Sequence, residues 1–182
     1  MLKVRVITAA ILGGLFLAAI FLLPARAAVL IFGVIGVLGA WEWSGFGALH
    51  TPLARGAYTC VLGVLLYLGW IVSSEPATFR MIMAGACLWW VAAFFWLTLA
   101  PGRQRPSLTL ACGAVVLVPT FVALARLQDS RSTATSGAQL VLWLLLLVIA
   151  ADIGAYFTGR RFGRHKLAPR ARRVRLPRSC RG

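Results

Sequence analysis

The sequence predicts an all-α, polytopic integral membrane protein: a bundle of about six transmembrane helices followed by a basic C-terminal tail. Of its 182 residues, 60% are hydrophobic and only 13% are charged, whereas an average soluble domain has about 25% charged residues. So few charged side chains would not cover a soluble core, and a disordered chain would be far less hydrophobic. The apolar stretches do not alternate as the strands of a membrane β-barrel do. Helices therefore remain as the structure that satisfies the backbone in lipid.

Six apolar segments are long enough, or nearly long enough, to cross the hydrocarbon core, which takes a helix of about 20 residues. The third has only 16 residues and is expected to include flanking residues. The fifth contains Pro119, which is expected to kink it. The first is longer than the apolar core of a signal peptide, so we expect it to be retained. In order, the segments are residues 6–23, 27–47, 57–72, 81–100, 108–125 and 138–157, within a bundle of residues 1–159.

Residues 160–182 form the basic tail, which holds ten of the 19 Lys and Arg residues and no acid. Lys and Arg concentrate on the cytoplasmic side of membrane proteins. With an even number of spans, both termini are therefore predicted to be cytoplasmic, with the chain in the cell (inner or plasma) membrane. A basic run also suggests nucleic acid. A single tail on a membrane protein more often marks the cytoplasmic side, so no nucleic-acid partner is expected.

Two of the four acids lie within predicted spans, where a central carboxylate costs about 2.5–3.5 kcal/mol. Glu42 and Asp152 each come five residues before the end of a span. Both are therefore expected at the same depth near the cytoplasmic boundary, where they could line one water-filled pocket. The alternative is that each pairs separately with a neighbouring Trp or backbone group. The other two, Glu75 and Asp129, lie in loops, where solvation explains them.

Asp152 has the richer surroundings. Tyr156 follows four residues later and so shares its helix face, and the helix is expected to end near Gly159. A carboxylate that can hold Mg²⁺, close to clustered cations, suits a substrate rich in phosphate. The alternative is a stop-transfer anchor on anionic lipid, and spacing alone does not decide between them. The cations that follow are Arg160, Arg161, Arg164 and Lys166.

Residues 151–170, ADIGAYFTGRRFGRHKLAPR, closely resemble the central motif of bacterial phosphatidate cytidylyltransferases (CDP-diacylglycerol synthases). The opening at residues 2–9, LKVRVITA, is similar to the usual start of that family. Residues 39–43, GAWEW, resemble its second-span motif. The resemblance covers roughly residues 1–170 in layout and is most specific in the central motif.

The resemblance implies that CTP and phosphatidate react in the bilayer, with Mg²⁺, to give CDP-diacylglycerol and pyrophosphate for phospholipid biosynthesis. It makes Asp152 the catalytic pocket carboxylate and a ligand of the metal, while Glu42 stays a possible pocket residue because of its depth in the second span. A homodimer is also among the expectations. The side chains expected to bind substrate phosphates are Arg160, Arg161, Arg164, Lys166 and Tyr156.

After residue 170 the sequence departs from the family pattern. The family continues with a Ser-Pro-x-Lys-Thr-x-Glu-Gly motif and further helices, whose signature supplies the main metal-binding acids. Residues 171–182 instead read ARRVRLPRSCRG, with five Arg in twelve residues. This composition is typical of out-of-frame translation of a GC-rich gene, so we expect the reading frame to be lost near Arg170 and the chain alone to have little or no activity. The alternative is a non-catalytic membrane protein, such as a transporter fragment or a lipid-binding anchor.

Overall fold

A computed structural model describes residues 2–99, 106–130 and 135–162. Helices make up nearly all of this part, and it contains no β-strand, so the all-α prediction is confirmed. Residues 163–182, which include most of the predicted tail, lie outside the described residues. The helices are α1 (Leu2–Leu22), α2 (Ala25–Phe46), α3 (Pro52–Val72), α4 (Pro76–Leu99), α5 (Pro106–Gln128) and α6 (Gly137–Phe162).

Five of the described helices, α2 to α6, are long and apolar enough to cross a membrane. In α1, the apolar stretch is shorter and runs from Ile11 to Leu22. The fold is therefore that of a multi-pass membrane protein. Each of the six predicted segments corresponds to one of these helices, and α5 runs unbroken through Pro119.

The third helix is longer than its apolar stretch because a capping sequence precedes it. Thr51 adopts an extended backbone conformation, and its hydroxyl accepts a hydrogen bond from the Ala54 N–H at 3.3 Å. Pro52 follows at the first helical position, where its missing N–H has no partner to lose. The helix therefore starts five residues before the predicted span and reaches 21 residues.

The sixth helix continues beyond the predicted end near Gly159 and includes Arg160, Arg161 and Phe162. Positive side chains in the last turn of a helix interact favourably with its negative C-terminal end. Gly159 is therefore an interior residue of α6 and not its C-cap. As a result, Arg160 has a definite angular position on the same helix as Asp152.

The centre of the bundle is formed by α2, α3 and α5, which pack against one another, while α1 contacts α2 and α4 contacts α5. Buried apolar side chains from α1, α2, α3, α5 and the start of α6 meet in one core, including Phe32, Leu66, Phe121, Val122 and Val141. The described residues divide into two units by their contacts, one up to Leu145 and the other from Leu146.

Small residues allow the central helices to approach closely, as is common between membrane helices. A Cβ at Gly36 of α2 would lie 2.9 Å from a methyl group of Leu66 in α3. A Cβ at Gly69 of α3 would lie 3.0 Å from Val122 in α5. Both glycines therefore permit contacts that larger residues would prevent.

Polar side chains join the helices at the end of the bundle where α5 finishes. Arg126 donates to the Ser73 hydroxyl at 2.9 Å, and its Nη2 donates to the carbonyl of Trp70. The buried amide of Gln128 donates to the carbonyl of Ile20 at 3.0 Å. The end of α5 is thereby fastened to the ends of α3 and α1.

Replacing Arg126 with leucine should lower the stability of the folded bundle. The change removes two bonds to α3 and leaves the Trp70 carbonyl without its charged donor, which should cost about 2 kcal/mol. Thermal unfolding of the protein in detergent measures this effect. Arg80→Leu is the matched control, since among the described residues Arg80 bonds only within its own helix, to the Pro76 carbonyl at 3.3 Å. Equal midpoints for the two variants would contradict the assigned role of Arg126.

Candidate functional site

The C-terminal half of α6 carries the residues of the central motif on an exposed helix. Asp152 is exposed, and Tyr156, 63% exposed, follows one turn later. At 100° per residue, Tyr156 lies about 40° and Arg160 about 80° around the helix from Asp152. The carboxylate, the phenol and one guanidinium therefore lie along the same side of α6, with Asp152 and Arg160 about 12 Å apart along the axis.

The second arginine of the motif lies elsewhere on the helix. Arg161 follows Asp152 by nine residues, which is about 180° around the axis, so it begins from the opposite side of α6. The structure thus separates two cations that the sequence analysis treated alike. Arg164 and Lys166, the other predicted phosphate-binding residues, lie outside the described residues.

The motif's remaining small and polar residues have local roles in α6. The Thr158 hydroxyl donates to the carbonyl of Gly154 at 2.7 Å, which uses its proton within the helix. A Cβ built on Gly154 or on Gly159 meets nothing within 4 Å. The Tyr156 ring meets the ring of Phe157 edge to face, with centroids 5.5 Å apart.

Glu42, the second predicted pocket residue, is exposed near the end of α2. It belongs to the unit that ends at Leu145, whereas Asp152 belongs to the other. A pocket shared by the two carboxylates therefore stays a prediction. The structure does show how the turn that carries Glu42 is held.

Arg55, in the first turn of α3, clamps this turn of α2. Its Nε donates to the Ser44 hydroxyl and its Nη2 to the Trp41 carbonyl, both at 2.9 Å. The guanidinium carbon also lies 4.4 Å from the centroid of the Trp41 ring, within the range of a cation–π interaction. Ser44 in turn donates to the Trp41 carbonyl at 2.5 Å. These contacts anchor the residue that precedes Glu42.

The residue after Glu42 is anchored to the start of α5. The Trp43 indole donates to the Thr109 carbonyl at 2.7 Å, and the Tyr58 hydroxyl of α3 donates to the Leu110 carbonyl at 2.9 Å. Both side chains close over Gly113, where an added Cβ would lie 2.3 Å from the Tyr58 oxygen. Glu42 thus projects from a stretch of α2 that is fixed on both sides.

Sequence reasoning missed Arg55, Tyr58 and Gly113. A signal for Arg55 was present, because a cation in the first turn of a helix opposes the positive N-terminal end of that helix and needs a partner. No comparable signal marked Gly113, since its need for a small side chain arises only from the packing of three helices.

Metal-binding capacity in the described part of the chain is limited. No group of three His, Cys, Asp or Glu residues comes together there. Magnesium commonly uses one or two protein carboxylates and takes its other ligands from substrate phosphates and water. An exposed carboxylate such as Asp152 therefore fits as one protein ligand of a metal shared with a phosphorylated substrate.

Comparisons with known proteins agree with the motif resemblance. The model of the Cytidylyltransferase family matches residues 3–171. The chain is 33% identical over 186 residues to a phosphatidate cytidylyltransferase of Haemophilus influenzae, and the matched region covers 93% of this chain and 64% of the relative. It is also 33% identical over 177 residues to a phosphatidate cytidylyltransferase of Pseudomonas aeruginosa, at 93% and 62% coverage. No solved structure matches. The chain thus spans slightly less than two thirds of these relatives.

Gly113→Ala should destabilise the junction around Glu42. The added methyl group would displace Tyr58 and Trp43 and break their bonds to α5, at a cost of about 1–3 kcal/mol. Gly85→Ala is the control, because a Cβ there meets nothing within 4 Å. Unfolding midpoints of the two variants in detergent measure the difference. A Gly113 variant as stable as the Gly85 variant would show that the junction is looser than described.

Proposed function

The chain belongs to the cytidylyltransferase family, and from this premise we propose that it carries out cytidylyl transfer from CTP to phosphatidate, giving CDP-diacylglycerol and pyrophosphate. Both relatives are named for this activity. They are longer than this chain, so their activity and substrates come to it as a proposal.

The observation that carries the proposal is the exposed side of α6. Within three successive turns it presents a carboxylate, a phenol and a guanidinium, all inside the motif that resembles the family's central one. This side begins within the apolar helix and ends at its charged terminus. Such a surface suits a reaction between a lipid phosphate and a water-soluble triphosphate.

In the proposed reaction, a phosphate oxygen of phosphatidate attacks the α-phosphorus of CTP. A new P–O bond forms, the bond to the oxygen that bridges the α- and β-phosphorus breaks, and pyrophosphate leaves with the electron pair. Catalysis of such transfers is mainly positioning and charge stabilisation. Arg160 would bind phosphate oxygens through its planar guanidinium. The Tyr156 hydroxyl, one turn closer to Asp152, would donate a further hydrogen bond and orient the same group.

Asp152 is the residue that would hold Mg²⁺ together with the substrate phosphates. When bound, the metal would neutralise the negative charge that develops on those phosphates. The second cation, Arg161, leaves the helix from the other side and is assigned to the lipid headgroup region or to a different part of the triphosphate. Arg164 and Lys166 remain predicted phosphate-binding residues, and Glu42 a predicted pocket residue.

We also propose that both termini face the cytoplasm, where CTP is available. The ten Lys and Arg residues from Arg160 onward support this orientation. Pairing of two copies in a homodimer stays a prediction.

Asp152→Asn should abolish most of the CDP-diacylglycerol synthesis. We expect a loss of about 100-fold or more, since changing even the partners of metal ligands commonly costs 10–100-fold. The assay follows CTP- and Mg²⁺-dependent product formation in membranes. It uses the 182-residue chain and a hybrid in which the part of the Haemophilus influenzae relative that this chain does not cover follows residue 170.

Glu75→Gln is the matched control, because it neutralises an exposed acid in the loop between α3 and α4 and should leave the rate unchanged. Full activity of Asp152→Asn in the hybrid would remove Asp152 from the mechanism. A hybrid that folds but makes no product, while the relative does, would argue against the proposed function itself.

Reporter fusions test the proposed orientation. Green fluorescent protein attached after residue 182 should fluoresce, and alkaline phosphatase at the same place should be inactive. Alkaline phosphatase inserted in the loop between α3 and α4 should be active. The reverse pattern would place the exposed end of α6 on the side without CTP.

A further inference from the structure

Two adjoining cavities lie at the end of the bundle where α2 begins and where α3 and α5 finish. The first has a volume of about 830 Å³ and is lined by Pro24, Arg26, Trp70 and Asp129 among others. The second, of about 550 Å³, shares Arg26, Val29 and Trp70 with the first and is otherwise almost entirely apolar. All of the lining residues belong to the unit that ends at Leu145, and none of them belongs to the motif on α6.

The first cavity holds one positive and one negative side chain, each beside a helix end of its own sign. Arg26 is the second residue of α2, at the positive N-terminal end, and the first turn there contains no acid. Asp129 directly follows the last residue of α5, at the negative C-terminal end. The N-terminal end of α2 therefore attracts a negative charge, although its side chain is positive. The C-terminal end of α5 attracts a positive charge, although its side chain is negative. Within the described residues, no ion pair or hydrogen bond joins these two side chains.

The second cavity has the length and the lining of a site for one acyl chain. It extends along α2 from Arg26 to Leu38, which is about 18 Å at the rise of a helix. One leaflet is about half of a hydrocarbon core that is about 30 Å thick. Its walls include Gly33 of α2, Leu66 of α3 and Phe121 of α5. Trp70 lies at the junction of the two cavities, a position between polar and apolar regions that Trp commonly occupies in membrane proteins.

We propose that these cavities bind one zwitterionic phospholipid that carries a primary amine. Its phosphate is held at Arg26 and the N-terminal end of α2, its ammonium group at Asp129 and the C-terminal end of α5, and one acyl chain fills the apolar cavity. A headgroup with a phosphate and no amine provides no positive partner for the Asp129 carboxylate. It also brings its own negative charge close to that carboxylate. The site therefore selects a zwitterionic headgroup over an anionic one.

Native mass spectrometry of the purified chain tests this selection. The chain is titrated in detergent with phosphatidylethanolamine and with phosphatidylglycerol of identical acyl chains. Phosphatidylethanolamine should bind about tenfold more tightly, the difference expected for one charge-assisted hydrogen bond. Arg26→Gln should weaken both lipids by about tenfold. Asp129→Asn should weaken phosphatidylethanolamine, tighten phosphatidylglycerol by relieving the repulsion of its phosphate, and so remove the preference, while Asp129→Glu should keep it.

Arg80→Gln is the matched control, because Arg80 is also exposed near the start of a helix and, in the part of the chain that the structure describes, bonds only to its own helix. It should leave both affinities unchanged. Equal affinities of the unmodified chain for the two lipids would overturn the proposal. So would an Asp129→Asn variant that binds both lipids more tightly, since Asp129 would then serve to neutralise Arg26. No nucleotide is present in this experiment, so its result is independent of the cytidylyl-transfer activity.

Discussion

Hydrogen bonds from side chains to backbone carbonyls of neighbouring helices set the arrangement of the central bundle. Lipid tails are as apolar as the helix surfaces, so the hydrophobic effect does little to bring membrane helices together. Their association depends on close packing and on the few polar groups available. Here the donors lie at both ends of α5. At its start, Trp43 and Tyr58 reach the carbonyls of Thr109 and Leu110. At its end, Arg126 and Gln128 reach those of α3 and α1. Between these ends, small residues and apolar side chains fill the space.

Helix-end electrostatics explains how the charged residues of this bundle are used. Arg126 lies in the last turn of α5, where a cation is favoured, and it serves as a structural donor. Arg55 lies in the first turn of α3, where a cation is disfavoured, and it is compensated by Ser44, the Trp41 carbonyl and the Trp41 ring. Arg26 has the same disfavoured position in α2, but it lies at a cavity. Arg55 has partners within the protein, whereas Arg26 faces a cavity. This difference supports Arg26 as the proposed position for a ligand.

Fold class and the family motif could be predicted from the sequence because both depend on local properties. The length of each apolar stretch gives the helices, and Thr51 and Pro52 contain enough information to extend α3 to its actual start. The packing could not be predicted in the same way. Helices such as α4, which has no buried residue, are apolar on all sides, so their periodicity does not show which face meets a neighbour. The junction over Gly113 and the cavity at Arg26 depend on three helices and leave no pattern in any one of them.

The position of Asp152 on α6 limits how this residue can be used. Its immediate helical neighbours include Ile149 and Ile153, both more than half exposed. A carboxylate among such residues would be costly if that surface met only lipid. This cost falls if water or a cation reaches Asp152. The motif provides a polar route for both, because Tyr156 and Arg160 follow Asp152 along the same side towards the charged end of α6. In the proposed reaction, a hydrated strip of this kind, set into an otherwise apolar helix, would allow a lipid phosphate and a nucleotide phosphate to meet without either substrate leaving its own phase.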